Sequence, residues 1–202
     1  MDDELLERIP QSLPPYLAAE DKQALLDQLS GRNPNVSYFG SIDDPEHVQG
    51  DGWSGLIARD FDSGDLERMQ GLVVSNSCDI AAENRPYPGQ RIVFAPIMSL
   101  ARYATLLAEA GIERRQIDDL LSRIRTQKVY RIFYLPGDAS GAEERIVPLD
   151  MLHSQPLGSV QHAGLQRMFS LSLHGWYMLL LKLSIHFCRM QERVKRSTVA
   201  AG

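Results

Sequence analysis

The sequence predicts an α+β protein: a small, strongly bent β-barrel or curled antiparallel sheet with helical additions. Three observations carry this reading. Five short runs rich in β-branched and aromatic residues are each bounded by Gly, Pro, Asp or Asn. Two helix-period sets interrupt that series between Ser99 and Lys128. A long apolar run from Leu171 to Cys188 repeats at three- and four-residue steps. With 202 residues, 44% of them hydrophobic, the chain can bury one substantial core.

An amphipathic pattern opens the chain with Leu5, Leu6 and Ile9, and Pro10 and Pro14-Pro15 interrupt it. Ala24, Leu25, Leu26 and Leu29 resume it before Ser30-Gly31 supplies a stop, so residues 1–31 form a helical arm. Polar loops follow to about Gly52, with a short edge strand around Val36 to Phe39. Strands are expected at 53–61, 71–75, 91–95, 129–135 and 144–149. Leu100, Tyr103, Leu106, Leu107 and Ala110 make one inserted helix, Gly111 breaks it, and Ile117, Leu120, Leu121 and Ile124 make a second. The domains therefore read as the arm (1–31), a barrel unit (32–154) with its helical insertion (99–128), and a C-terminal helix with a basic tail (155–202).

On that last helix Leu173, Trp176, Tyr177, Leu180, Leu181, Ser184 and Phe187 share an apolar face. Lys182, His186, Arg189 and Arg193 fall on the opposite side as a basic stripe that complements the helix macrodipole. A lysine near the middle of a lone spanning helix would cost roughly 3 kcal/mol, so a soluble helix and no membrane role are expected. Residues 1–67 hold 15 acids and 4 bases although the whole chain is only −5, so the remainder is net basic. The acidic part is expected to pack beside the basic helix, and an anionic partner, RNA or DNA, is the alternative. Two cysteines make no disulfide framework, and Met1-Asp2-Asp3-Glu4 does not open a signal peptide; reducing cytoplasm is the expected compartment. No metal-ligand set, phosphate loop or nucleophile elbow is present, and no cofactor is expected.

The chemistry-bearing residues cluster in one bend. Ser75, Asn76, Ser77, Cys78 and Asp79 follow the Val73-Val74 strand, and their side chains can bond nearby amides to make a structured turn. Cys78 could act as a nucleophile with His153 or His162 as base. Asp79 disfavours the thiolate, so the bland reading is a buried, inert cysteine with Asp79 capping backbone amides. His153 follows Asp150 by three residues, a spacing at which the carboxylate could orient the ring. Arg68, Arg91 and Arg131, near successive strands, could face phosphate or pair with the acidic segment.

The strings Val73-Val74-Ser75, Phe94-Ala95-Pro96-Ile97 and Ile146 to Ser154 resemble those of the PemK/MazF-type small barrels, SH3-like folds of bacterial toxin ribonucleases and their non-toxic relatives. The resemblance covers roughly Trp53 to Ser154 and leaves the arm, the insertion and the C-terminal helix outside it. It implies an SH3-like barrel. It also implies RNA cleavage by an arginine shortly before the "VV" strand and a threonine directly after "aPi". Here Arg68 stands one residue further from the strand, Met98 occupies the threonine position, and Ser99 is the next hydroxyl. A methionine offers neither a proton acceptor nor a donor to an RNA backbone. The expected function is therefore a non-catalytic accessory or regulatory subunit that binds another protein through Trp176, Tyr177 and the helical faces, in a toxin-like, stress or defence system. The alternative is a divergent endoribonuclease or nucleic-acid binder using Arg68, Arg91 and Ser99, with Lys182, Arg189 and Arg193 as further contacts.

Overall fold

Strand β1 (Asp51–Arg59) is bent by a bulge, and that bend sets the architecture. Its register against β2 (Leu66–Val73) slips between Ser54 and Leu56, where Gly55 takes φ +88°, a backbone region that side chains with a Cβ avoid. The first half of β1 pairs on its other side with β8 (Gln166–Ser170), and β2 pairs with β3 (Arg91–Pro96), which pairs with β7 (His153–Pro156). The resulting antiparallel sheet runs β7-β3-β2-β1-β8. The computed structural model describes residues 37–42, 48–60, 62–81, 89–137, 142–162 and 164–187. The arm expected over 1–31, and Arg189 and Arg193, lie outside the described residues.

A second antiparallel sheet grows from the first. After β3 the chain kinks through Ile97 into β4 (Met98–Ser99), which pairs with β6 (Arg145–Pro148), which pairs with β5 (Ile132–Leu135). Between β4 and β5 lie helices α2 (Leu100–Glu109) and α3 (Arg114–Arg125), as the periodicity predicts. A one-turn helix α1 (Ser77–Ile80) follows β2, α4 (Leu157–His162) follows β7, and α5 (Leu173–Phe187) closes the described chain.

The molecule is thus an α+β protein with a curled antiparallel sheet, and no closed barrel forms among the described residues. The physical reason is visible at Gln155. Curling brings β7 back toward the second half of β1, but one side chain spans the gap instead of a backbone ladder: Ile57 N–H donates to Gln155 Oε1 at 2.7 Å. The sequence missed β7 and β8. The first is polar and ends in proline, and the second, QRMFS, has little alternation. The region 129–131, expected as strand, is a turn.

Adjacent residues on the sheet face opposite ways and feed two cores. Val73 and Phe94 join Trp53, Leu56, Ala58, Ile80, Ile92 and Leu157 on one face. Leu72 and Ala95 pack on the other with Phe133, Leu135, Val147, Leu149, Phe169 and the α5 residues Tyr177, Met178 and Leu179. A third cluster, Leu100, Ile124, Ile132 and Ile146, seats the helical insertion on the smaller sheet. Among the described residues an ion pair joins the acidic and basic parts of the chain: fully buried Asp51 accepts from Arg167 Nη1 at 3.3 Å, and Arg167 Nη2 donates to the Ile42 carbonyl at 2.7 Å.

The apolar face of α5 differs from the expected one. Gly175, Tyr177, Met178, Leu179 and Lys182 are buried, while Leu173 and Phe187 are exposed. Lys182 is only 3% exposed, and its ammonium donates to the carbonyls of Gln127 and Val129, each at 2.7 Å. It therefore belongs to the core side of the helix and not to an outward basic stripe. The apolar periodicity of leucines hides such a position, because a long aliphatic stem buries as readily as leucine once its amine finds acceptors.

Burial pushes the Lys182 amine down from its ordinary 10.5 to about 7. The unfolded chain then binds more protons than the folded one between those values, so stability rises with pH from about 7 to 10.5 and is lowest below 7. Urea unfolding at stepped pH should show this rise, and Lys182→Met should flatten it. Replacing Gln155 by Leu should cost about 1–3 kcal/mol by leaving the Ile57 amide unpaired, measured the same way at neutral pH.

Candidate functional site

The Ser75–Asp79 bend is structured as the sequence predicts, with its labour divided differently. Ser75 Oγ accepts from Val93 N–H at 2.7 Å, fixing the end of β2 to β3. Asn76 caps α1, its Oδ1 accepting from Cys78 N–H at 2.9 Å. Ser77 Oγ accepts from Gln49 N–H at 2.9 Å. The cap is thus Asn76 and not Asp79, because the Asx geometry needs the side chain at the residue preceding the helix. Asp79 contributes its backbone carbonyl, which accepts from Gln90 Nε2 at 3.1 Å. Cys78 is exposed, not buried: α1 turns Ile80 inward and leaves the thiol side outward.

The residues expected to act with this bend are engaged elsewhere. The His153 ring stacks on Phe94, centroids 5.6 Å apart. Asp150, expected to orient it, lies 4.0 Å from Arg131 Nη1 instead. Arg91 crosses from β3 to β7, donating from Nε to Ser154 Oγ at 2.7 Å and from Nη2 to the Ser154 carbonyl at 2.6 Å. These bonds make Arg91 a clasp on the edge strand.

The arginine and hydroxyl singled out by the resemblance stand apart. β2 and β3 stay paired as far as Gly71 and Pro96, and Ile97 N–H still reaches the Gln70 carbonyl at 2.9 Å. Beyond that point Arg68 remains on β2 opposite Ile57, while Ser99 has left with β4 for the smaller sheet. Arg68 is exposed, with Nη1 3.4 Å from the Gly55 carbonyl. Ser99 is the N-cap of α2: its Oγ accepts from Arg102 N–H at 3.4 Å and donates to Glu143 Oε2 at 2.8 Å. Its hydroxyl has both its donor and an acceptor site in use.

On α5, Tyr177 is buried in the core and so presents no face to a partner. Trp176 is half-buried and its Nε1–H donates to Gln49 Oε1 at 3.1 Å. His174 packs edge-on to Tyr38 at 5.0 Å, and burial lowers its pKa.

The densest polar cluster was not foreseen. Arg125 grips Glu144 through two bonds of 2.7 Å, and the Tyr134 hydroxyl donates to the same carboxylate at 2.5 Å. The Arg125 hydrogen bond holds Glu144 below the usual carboxylate range, and burial, with Glu144 adding to it, raises the Tyr134 phenol. Gln127 lies beside them, its side-chain amide donating to the Tyr134 carbonyl at 2.8 Å and accepting from Tyr134 N–H at 3.2 Å. This pairing imitates a neighbouring strand along the free edge of β5. Each group in the cluster is held by another, which is the pattern of a structural network.

No protein-family model and no curated protein matches the chain. Its functional reading therefore rests on its own geometry. Among the described residues, no three His, Cys, Asp or Glu side chains are grouped to hold a metal ion, and no helix is long and apolar enough to cross a membrane.

Two substitutions separate exposed from structural roles. Cys78→Ser should change stability by less than about 0.5 kcal/mol, since an exposed side chain is exchanged for one of similar size. Ser99→Ala should cost about 0.5–2 kcal/mol through loss of the α2 cap. Thermal or urea unfolding of both variants reads the difference.

Proposed function

We propose that the chain is a non-catalytic accessory or regulatory component that binds another protein subunit in the cytoplasm, and that the toxin-like resemblance of residues 53–154 sets it in a bacterial stress or defence system. The observation that carries this reading is the commitment of Ser99 to capping α2 while Arg68 stays on the other sheet. RNA cleavage through the 2′-hydroxyl requires a proton acceptor, a proton donor and a cation around one phosphate. Here the arginine and the hydroxyl diverge at Ile97, and the intervening Met98 brings no proton-transfer group.

Support for a binding role comes from the helical insertion. Leu106 is 43% exposed on α2 and Ile112, in the turn to α3, is 40% exposed. Leu100, Ile117 and Ile124 account for the fully buried positions of the pair, so these two aliphatic side chains keep a large part of their apolar surface in water. Such surface, set among the polar residues of α2 and α3, fits the core of a protein interface.

The experiment joins both halves of the reading. Purified protein incubated with a mixed RNA pool should leave it intact, and a subunit that co-purifies from the native cell should be lost on Leu106→Asp with Ile112→Asp while the melting temperature holds. RNA cleavage abolished by Arg68→Ala would establish the endoribonuclease instead.

A further inference from the structure

The contact between α5 and the turn after α3 has an uneven count of donors and acceptors. Lys182 is buried, and among the described residues its amine reaches two acceptors, the carbonyls of Gln127 and Val129, each at 2.7 Å. A neutral amine has two N–H donors, and these carbonyls take both. An ammonium has a third, for which the described residues offer no acceptor, and a buried donor left unpaired is costly. The turn that the amine holds is itself strained, because Gln127 stands at φ +57° in the left-handed region that a side chain with a Cβ disfavours.

The charges around this contact do not offset a proton on the amine. Arg123, Arg125 and Lys128 end α3 and Arg131 follows in the turn, all of the same sign as an ammonium. The nearby acids are committed elsewhere: Glu144 to Arg125 and Tyr134, and Asp150 to Arg131 at 4.0 Å. Burial raises the phenols of Tyr38 and Tyr134 above their ordinary 10.0, so both stay neutral beside Gln127. On α5 itself, His186 lies one turn on, in ring contact with Tyr130, and His174 lies two turns back against Tyr38. Burial lowers His174 below its ordinary 6.5. The amine is thus governed by desolvation, which holds it at about 7.

We propose that Lys182 and the Gln127–Val129 turn form a proton-sensitive catch: the neutral amine holds the end of α5 against the turn, and binding a proton releases both. The third N–H is satisfied only by water, so the protonated side chain leaves the carbonyls, and Gln127 is no longer tied to α5 in its left-handed conformation. The pairing of β2 with β3 lies in the larger sheet and has no part in this contact, so the opening is local. The amine sits at about 7 when closed and near 10.5 when released. The released form therefore gains weight as pH falls from 10.5 to 7, and gains no more below 7.

Hydrogen exchange of the full chain between about pH 6 and 9, corrected for the intrinsic pH dependence of amide exchange, tests the catch. The amides of Lys182 to His186 should open as one unit with those of Gln127 and Lys128, at lower protection than β2 and β3. That protection should fall by up to about tenfold for each pH unit down to 7 and level off below it. Ordinary fraying of a helix end has no such dependence. Lys182→Gln keeps two N–H donors without titrating and should abolish the response, while His186→Phe should retain it. Should Lys182→Gln fail to fold, the side-chain methylene resonance of Lys182 in the isotope-labelled wild type decides: a midpoint near 7 supports the catch, and one near 10.5 overturns it. The proposal is equally overturned if the end of α5 opens only together with β2 and β3, if its protection ignores pH, or if the response survives Lys182→Gln.

Discussion

The turn that ends α3 holds that helix, the smaller sheet and the last helix in one arrangement, and Gln127 is its pivot. Gln127 N–H donates to the Ile124 carbonyl at 2.9 Å and Lys128 N–H to the Arg123 carbonyl at 2.8 Å, the bond pair of a helix terminated by a left-handed residue. Gln127 supplies that residue with φ +57°, a conformation costing roughly 1–2 kcal/mol for a side chain bearing a Cβ. The same geometry ends α2, where Gly111 and Ile112 donate to Ala108 and Leu107 and glycine takes φ +80° without that cost. Glutamine is tolerated in the second turn because its parts are all used: the amide side chain seals the β5 edge at Tyr134, and the carbonyl receives the Lys182 ammonium.

That arrangement explains why a lysine lies inside α5. The carbonyls of Gln127 and Val129 face the helix; Val129 already accepts from Ile132 N–H at 3.1 Å, and leaving the buried Gln127 carbonyl without a donor would cost about 1–3 kcal/mol. Lys182 donates to both at the expense of its own desolvation. Two glutamines do parallel work: Gln127 covers the edge of β5, and Gln155 covers β1 where the curled sheet stops short of closing. Primary amides suit this, because one group offers the donor and acceptor that a neighbouring strand would offer.

Much of this fold was legible in the chain. The helix periods of 100–109 and 114–125, the stop at Gly111, and the strands around Val73, Phe94, Phe133 and Val147 all follow from local pattern. The bend at Ser75–Asp79 was also readable, since short polar side chains after a strand announce their own backbone bonds. What stayed hidden was set by distant partners. β7 and β8 become strands through pairing with β3 and β1, and their own residues, HSQP and QRMFS, carry little strand preference. Lys182 reads as part of a basic stripe until the carbonyls of Gln127 and Val129 are placed beside it, and Arg68 and Ser99 read as neighbours until the kink at Ile97 sends them to different sheets.

Native-state hydrogen exchange in Gln127→Ala tests the central role of this turn most directly. If Gln127 couples α3, β5 and α5, the Tyr134 amide and the amides of α5 around Lys182 should lose protection together, by a common factor. Loss of protection at Tyr134 alone, with α5 exchanging as in the unaltered protein, would show the strand edge and the helix to be independent and would contradict the account.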